Sequence, residues 1–115
     1  MNGQEMATES HYDIPVITFV FDNRTLGMVR QWQNLIYEKR FSQTDLGFAP
    51  DFVKLAEAFG AKGLRCDTLA GFEACMKEAL ATTDGPVLID AHIDKTERVL
   101  PFIPGGETVR NVIID

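Results

Sequence analysis

Residues 16–33 read VITFVFDNRTLGMVRQWQ and join an apolar run, a polar corner and the start of an amphipathic helix. Within Val16–Phe21, polar and apolar side chains do not alternate. A strand has this pattern when helices cover both faces of its sheet. The stretch therefore predicts a buried strand with Asp22 and Asn23 at its carboxyl end, the place where open α/β sheets bind ligands.

The rest of the chain predicts helices and strands in alternation. The predicted elements are a helix over Asn2–Tyr12, a helix from Leu26 to Ile36, a helix capped by Asp51 and closed by Gly60, a strand over Ala61–Cys66, a helix capped by Thr68, a strand over Val87–Ile93 and a short helix within Gly106–Ile113. This order predicts an α/β fold, a partial doubly wound parallel sheet with flanking helices. Such sheets usually have about five or six strands, so the chain resembles the back half of a domain.

Composition excludes several classes of function. The net charge is −6 and the 11 basic residues are scattered, which argues against a nucleic-acid partner. No apolar run approaches the ~20 residues of a membrane helix, and the N-terminus lacks the features of a signal peptide, so we expect a cytoplasmic protein with no membrane partner. Cys66 and Cys75 are expected to be free thiols, because they lack C-x-x-C spacing.

Asn23 is the sharpest candidate for chemistry. Its amide oxygen is a hard, neutral ligand suited to Mg²⁺ or Ca²⁺, and the backbone carbonyl of Thr25 could add a second oxygen. Alternatively, Asp22-Asn23 is only a turn that caps the next helix. Gly27 costs up to ~1 kcal/mol in a first helical turn, which suggests that another group approaches the backbone closely there.

The other candidate residues give weaker signals than Asn23. Trp32 lies on the same predicted helix face as Met28, where it is either part of the core or the wall of a pocket. His11 and His92 have no partner in the sequence and are expected to be structural. The irregular segment Lys39–Pro50 has the length of a lid or binding loop. No catalytic acid or base can be chosen from the residues alone.

Several runs of residues match a known family. These runs are Met1–Thr8, Pro15-Val16, Asp22-Asn23, Leu26–Gln33, Tyr37–Arg40, Pro50–Ala56, Gly85–Asp90 and Val99–Gly105. Together they resemble the large catalytic subunit of the acetolactate synthase (acetohydroxyacid synthase) family of thiamine-diphosphate enzymes. The resemblance covers essentially all 115 residues, but only the C-terminal end of the family's longer chain.

The resemblance implies that thiamine diphosphate and Mg²⁺ are the cofactors. The family's motif opens with Gly-Asp-Gly and ends in Asn-Asn, of which the second Asn corresponds to Asn23 and the first is replaced by Asp22. The resemblance implies that Asn23 and Thr25 bind the metal. It also implies that the cofactor is bound by four residues, Asn23, Thr25, Gly27 and Met28. The charge of Asp22 near a diphosphate has no explanation in the sequence.

The resemblance also implies a substrate pocket lined by Met28, Val29 and Trp32, in which the tryptophan favours 2-ketobutyrate as the acceptor. The parent enzyme condenses pyruvate with pyruvate or 2-ketobutyrate in branched-chain amino-acid biosynthesis. Its FAD is not expected to bind this segment. Expected partners are the 2-keto acid, the rest of the same subunit and a second catalytic subunit, with a regulatory subunit as a further candidate.

By alignment, Gly-Asp-Gly would precede Met1, and the glutamate that activates the cofactor would belong to a partner subunit. The 115 residues alone are therefore expected to be inactive. Residues 1–95 are predicted to be the C-terminal part of the cofactor-binding domain, and residues 96–115 an extended tail. The alternatives are another thiamine-diphosphate decarboxylase or carboligase, or a non-catalytic α/β module that binds a partner through its sheet edge and Val99–Pro104.

Overall fold

The computed structural model describes residues 2–48 and 50–114. Met1 of the matching runs, Ala49 of the predicted loop and Asp115 of the predicted tail lie outside the described residues. The elements are α1 (Glu5–His11), β1 (Ile17–Asp22), α2 (Gly27–Leu35), α3 (Phe52–Ala58), β2 (Lys62–Cys66), α4 (Leu69–Ala81), β3 (Val87–His92) and a 3₁₀ turn (Val109–Asn111). The predicted order is confirmed.

The three strands form one parallel sheet in the order β1-β3-β2. Helices lie on both faces, which confirms the predicted partial doubly wound α/β fold. The register pairs Asp22 with His92 and Cys66 with Ala91, so the carboxyl ends of all three strands meet at one edge. Polar residues that lie 70 positions apart in the sequence are thereby brought together.

The core consists of two apolar layers on either side of β3. One layer, on the side of α4, contains Cys66, Ala79, Val87, Ile89 and Ala91. The other, beneath α1 and α3, contains Met6, Ala56, Ala61 and Leu88. The alternation of Val87, Leu88 and Ile89 between the layers follows the two-residue period of a strand. β3 is therefore the buried centre of the sheet.

The predicted caps of α3 and α4 are confirmed. The side chain of Asp51 accepts a hydrogen bond from Lys54 N at 3.3 Å, and that of Thr68 accepts one from Gly71 N at 3.1 Å. Gly60 follows α3 with φ +80°, the left-handed conformation that ends many helices. Among the described helices none is long and apolar enough to cross a bilayer.

The prediction that β1 is buried on both faces is wrong. The side chain of Phe21 is 69% exposed, because β1 pairs with β3 on one side and no described helix covers its carboxyl end. The helix expected within Gly106–Ile113 is only the 3₁₀ turn, while Phe102 and Ile113 exchange two backbone hydrogen bonds of 2.8 Å.

Candidate functional site

The corner after β1 is built from two consecutive side chain-to-backbone turns. Oδ1 of Asp22 accepts a hydrogen bond from Arg24 N at 2.9 Å, and Oδ1 of Asn23 accepts one from Thr25 N at 3.1 Å. Helix α2 begins after Leu26 and has no side-chain cap. The alternative interpretation, in which Asp22-Asn23 is a turn that caps the next helix, is therefore confirmed for the turn and wrong for the cap. Both side chains are used to shape the corner itself.

Gly27 explains how Asn23 lies over the first turn of α2. A Cβ atom at Gly27 would come within 2.8 Å of Asn23 Nδ2, so the absence of a side chain makes room for the amide. The approaching group inferred from the sequence is thus identified as Asn23. The side chain of Thr25 is also buried at this corner, and its Oγ1 has no hydrogen-bond partner among the described residues.

The segment predicted to be a lid or binding loop is tied to this corner. Thr25 and Asp45 form an antiparallel bridge. Leu26 N donates to Thr44 O at 2.9 Å, and Leu46 N donates to Arg24 O at 2.8 Å. Thr44 is 2% exposed. The loop therefore supports the corner through backbone hydrogen bonds.

The charge of Asp22 is paired. Its carboxylate is 7% exposed, and Oδ2 lies 2.9 Å from Nε of Arg24, an ion pair whose angle is too poor for a hydrogen bond. Arg24 Nη2 lies 3.2 Å from Nε2 of His92, which in turn is 3.8 Å from Asp22 Oδ2. This arrangement accounts for the negative charge that the sequence left unexplained. His92, for which the sequence shows no partner, lies beside both Arg24 and Asp22 at this corner.

The charges continue across the sheet to α3. Nε2 of His92 is 3.4 Å from Oδ2 of the fully buried Asp90, which also accepts a hydrogen bond from Arg65 Nε at 3.0 Å. Arg65 Nη2 then reaches Asp51 Oδ1 at 2.6 Å. The hydrogen bond from Lys54 N, together with the Arg65 guanidinium, lowers the pKa of Asp51. The carboxylates of Asp90 and Asp51 raise the pKa of Arg65.

Asp22, Asp90 and His92 bring three potential ligand atoms within 4.8 Å of one another, a spacing that a metal ion could use. However, Arg24 and Arg65 already supply a positive charge to each carboxylate. A cation placed there would have to displace both guanidinium groups or be repelled by them. We therefore interpret this group as an ion-pair network. It is a feature that the sequence did not reveal, because its members come from separate strands.

The apolar face of α2 opens into a cavity of about 650 Å³. Its lining residues are Met28, Val29, Trp32, Gln33, Tyr37 and Arg40. The three predicted pocket residues thus lie side by side, and Trp32, which is 37% exposed, is a wall residue and not part of the core. Gln33, Tyr37 and Arg40 were missed, although all three fall within the runs that carried the resemblance.

The chain is similar to known proteins along most of its length. Residues 1–91 match the family described as thiamine pyrophosphate enzyme, C-terminal TPP binding domain. The chain is 50% identical over 113 residues to the probable acetolactate synthase large subunit of Methanocaldococcus jannaschii, covering 98% of this chain and 19% of that protein. It is 46% identical over 114 residues to the mitochondrial acetolactate synthase of Schizosaccharomyces pombe, covering 99% and 17%.

The fold has a solved counterpart in the benzoylformate decarboxylase of Polynucleobacter necessarius. The TM-score is 0.71 at 30% identity, over 85% of this chain and 18% of that one. The chain therefore spans about a fifth of the length of these relatives. The suspected resemblance is confirmed, and the chain belongs to the thiamine pyrophosphate enzymes, of which it carries the C-terminal TPP-binding domain.

Proposed function

We propose that the intact protein containing this chain is the large catalytic subunit of an acetolactate synthase. It condenses pyruvate with pyruvate or 2-ketobutyrate, a step of branched-chain amino-acid biosynthesis. The observation that carries the proposal is the layout of α2. This helix begins at Gly27 beside Asn23 and carries Met28, Val29 and Trp32 along the cavity. A cofactor corner and an acceptor pocket are thus joined by one short helix.

The corner fits a hard divalent cation as one side of its coordination shell. Asn23 Oδ1 would be one ligand and the backbone carbonyl of Thr25 another, both of them neutral oxygens of the kind that Mg²⁺ accepts. Asp22 is turned toward Arg24 and would not be a ligand. The residues around Gly27 and Met28, at the start of α2, would approach the diphosphate through backbone N–H groups.

Thiamine diphosphate, when bound, supplies the electron sink that 2-keto acid decarboxylation and transfer of the remaining unit require. The contribution of this chain is to orient that cofactor and to receive the second keto acid. Met28, Val29 and Trp32 would enclose the alkyl end of the acceptor. One methylene in an apolar pocket changes selectivity by roughly 10-fold to 200-fold, which is enough to separate 2-ketobutyrate from pyruvate.

Two substitutions in the intact protein test the proposal. Asn23→Ala should weaken Mg²⁺-dependent binding of thiamine diphosphate by about 10- to 100-fold, the range typical of damaged metal sites. Asn34→Ala, on α2 and away from the corner, is the matched control. Calorimetric titration measures both, and equal affinities for the two variants would remove Asn23 from the metal site.

Trp32→Leu should reduce the preference for 2-ketobutyrate over pyruvate by about tenfold or more. The measurement is the ratio of the two condensation products when both keto acids are present. An intact protein that instead releases an aldehyde and forms no condensation product would be a thiamine-diphosphate decarboxylase, as the structural relative above is named. An intact wild-type protein that is folded but does not bind thiamine diphosphate would favour the non-catalytic module.

The remaining expectations belong to the same proposal. Residues 1–95 would form the cofactor-binding part and 96–115 the tail, a division close to the family match over 1–91. FAD would bind elsewhere in the intact enzyme, and the exposed Phe21 would contact the rest of the subunit or a second catalytic subunit. A regulatory subunit and the cytoplasmic location stay predictions, to be checked by co-purification and by cell fractionation.

A further inference from the structure

Two glutamines on α2 flank Trp32, and each binds the backbone of a distant segment. Nε2 of Gln31 donates to Val99 O at 3.1 Å, and Val99 N donates to Gln31 Oε1 at 2.8 Å. Nε2 of Gln33 donates to Ser42 O at 3.0 Å, and Ser42 N donates to Gln33 Oε1 at 3.1 Å. Each amide therefore pairs with both polar groups of one residue's backbone, as a neighbouring strand would.

The Gln31 pair fixes the start of the tail. Gln31 is 4% exposed, whereas Val99 is 62% exposed, so the glutamine is the buried member of the pair. Gln31 and Val99 are 68 positions apart, and the segment between them includes the whole of β2, α4 and β3. The buried Gln31 amide uses both its donor and its acceptor on the backbone of Val99. Two hydrogen bonds fix the position of Val99 more tightly than a single one would.

Beyond Val99 the tail packs on the pocket tryptophan. The rings of Trp32 and Phe102 meet edge to face with centroids 6.2 Å apart. Gly105 approaches so closely that a Cβ atom there would lie 3.4 Å from the far edge of the indole. Trp32 therefore stands between the cavity on one side and the tail on the other.

We propose that Gln31 is a positioning residue for the acceptor pocket, since it holds residues 99–105 against Trp32 and so fixes the orientation of the indole. The side chain of Gln31 lies outside the set that lines the cavity, and its effect on the pocket passes through the tail. The consequence for the acceptor rests on the proposed function, whereas the attachment of the tail does not.

Gln31→Met in the intact protein tests the attachment. Methionine has a similar length and apolar body but can form neither hydrogen bond. Because Val99 is exposed, its N–H and C=O can turn to water, so the tail should detach while the fold is retained. We expect exchange of the Val99 amide hydrogen, and tryptic cleavage of the Arg98–Val99 bond, to be roughly tenfold faster, the factor for one net hydrogen bond.

Gln33→Met is the matched control, because it removes the corresponding pair of hydrogen bonds to Ser42 from the same helix, together with the one that Gln33 Oε1 accepts from Thr44 Oγ1 at 3.2 Å. It should leave exchange at Val99 and cleavage after Arg98 unchanged. Equal rates at these sites in the wild-type protein and the Gln31→Met variant would overturn the proposal. So would equal acceleration by both variants, which would indicate general loosening of α2.

The effect on the pocket has its own measurements. Trp32 emission, obtained as the difference from a Trp32→Phe variant, should change in the Gln31→Met protein and also in Phe102→Ala, which keeps the Val99 pair. In the assay, Gln31→Met should raise KM for the second keto acid more than it lowers kcat. Unchanged emission with a released tail would overturn the positioning role. A protein that binds no keto acid but shows faster exchange at Val99 would instead refute only the proposed function.

Discussion

Because Gly27 has no side chain, the amide of Asn23, the proposed metal ligand, can lie against the start of α2. A Cβ atom on Gly27 would lie 2.8 Å from Asn23 Nδ2, and the Asn23 amide cannot move freely because its Oδ1 is bound to Thr25 N. Gly27→Ala should therefore weaken Mg²⁺-dependent cofactor binding about tenfold while stabilising α2 by up to ~1 kcal/mol. Calorimetry and thermal unfolding of the intact protein measure the two effects.

Gly47→Ala serves as the control for this experiment, because a Cβ atom at Gly47 meets nothing within 4 Å. It should leave cofactor affinity unchanged. A Gly27→Ala protein with wild-type affinity would show that the Asn23 amide has room to shift, and that the close approach has no role in binding.

The two cysteines are expected to differ in reactivity. Burial raises the pKa of the Cys66 thiol, and Cys66 is 7% exposed, whereas Cys75 is partly accessible on α4. Because the thiolate is the reactive form, a raised pKa leaves less of it at any given pH. Iodoacetamide at pH 8 should modify Cys75 first, as read by peptide mass spectrometry. Similar rates for both thiols in folded protein, not only in urea, would contradict this.

Between elements, β2 packs closely against α3 at Gly63. A Cβ atom on Gly63 would lie 2.8 Å from the carbonyl oxygen of Val53 and 2.9 Å from its Cα. The obstacle is backbone, so no side-chain rotation can relieve it. Gly63→Ala should lower the free energy of unfolding by about 1–3 kcal/mol, the usual cost of overpacking. Urea unfolding measures this, and Gly3→Ala, which adds its Cβ to open space, should have no such effect.

The cap of α3 should make stability depend on pH. The pKa of Asp51 is lowered by the Lys54 N–H and the Arg65 guanidinium, so the unfolded chain binds a proton more readily than the folded one. The stabilisation is therefore present above the unfolded pKa of about 3.9 and is lost as pH falls through the lower folded value. Asp51→Asn keeps the cap without the charge. Its thermal unfolding midpoint should fall less steeply below pH 4 than that of the wild type.

Elements defined by local chemistry were predictable from the sequence, and contacts between distant elements were not. Thr68 caps α4 through a residue three positions away, so its signal is contained in a few letters. The exposure of Phe21 depends on which strands adjoin β1, and the Gln31–Val99 pair joins positions 68 apart. Neither feature produces a hydrophobic periodicity that could be recognised in the sequence. The corner at Asn23 was found because strand end, turn and helix are consecutive in the chain.

At the scale of the whole molecule, a line of charges crosses the sheet from the corner of β1 to the start of α3. Its members are Arg24, Asp22, His92, Asp90, Arg65 and Asp51. The three carboxylates alternate along it with two guanidinium groups and the His92 imidazole, and the register of three parallel strands sets their spacing. The line connects the proposed cofactor corner to the helix that packs on the far strand, so a defect at one end should be measurable as lost stability of the whole domain.

Asp90 is the member on which this line depends most. It is fully buried, Arg65 is its closest cation at 3.0 Å, and its Oδ1 has no hydrogen-bond partner among the described residues. Arg65→Met leaves the carboxylate buried with only His92 beside it. Breaking a buried pair costs about 3–5 kcal/mol, and since Arg65 is 40% exposed we expect roughly 2 kcal/mol.

The double variant Arg65→Met/Asp90→Leu distinguishes a pairing effect from lost packing. Removing both partners leaves no uncompensated charge, and an apolar pair in this layer of the sheet should be close to neutral, so most of the lost stability should return. The coupling free energy from urea unfolding of the wild type, both single variants and the double variant gives the result. If the losses of unfolding free energy in the two single variants simply add, Asp90 does not depend on Arg65. The line of charges then does not extend through Arg65 on β2.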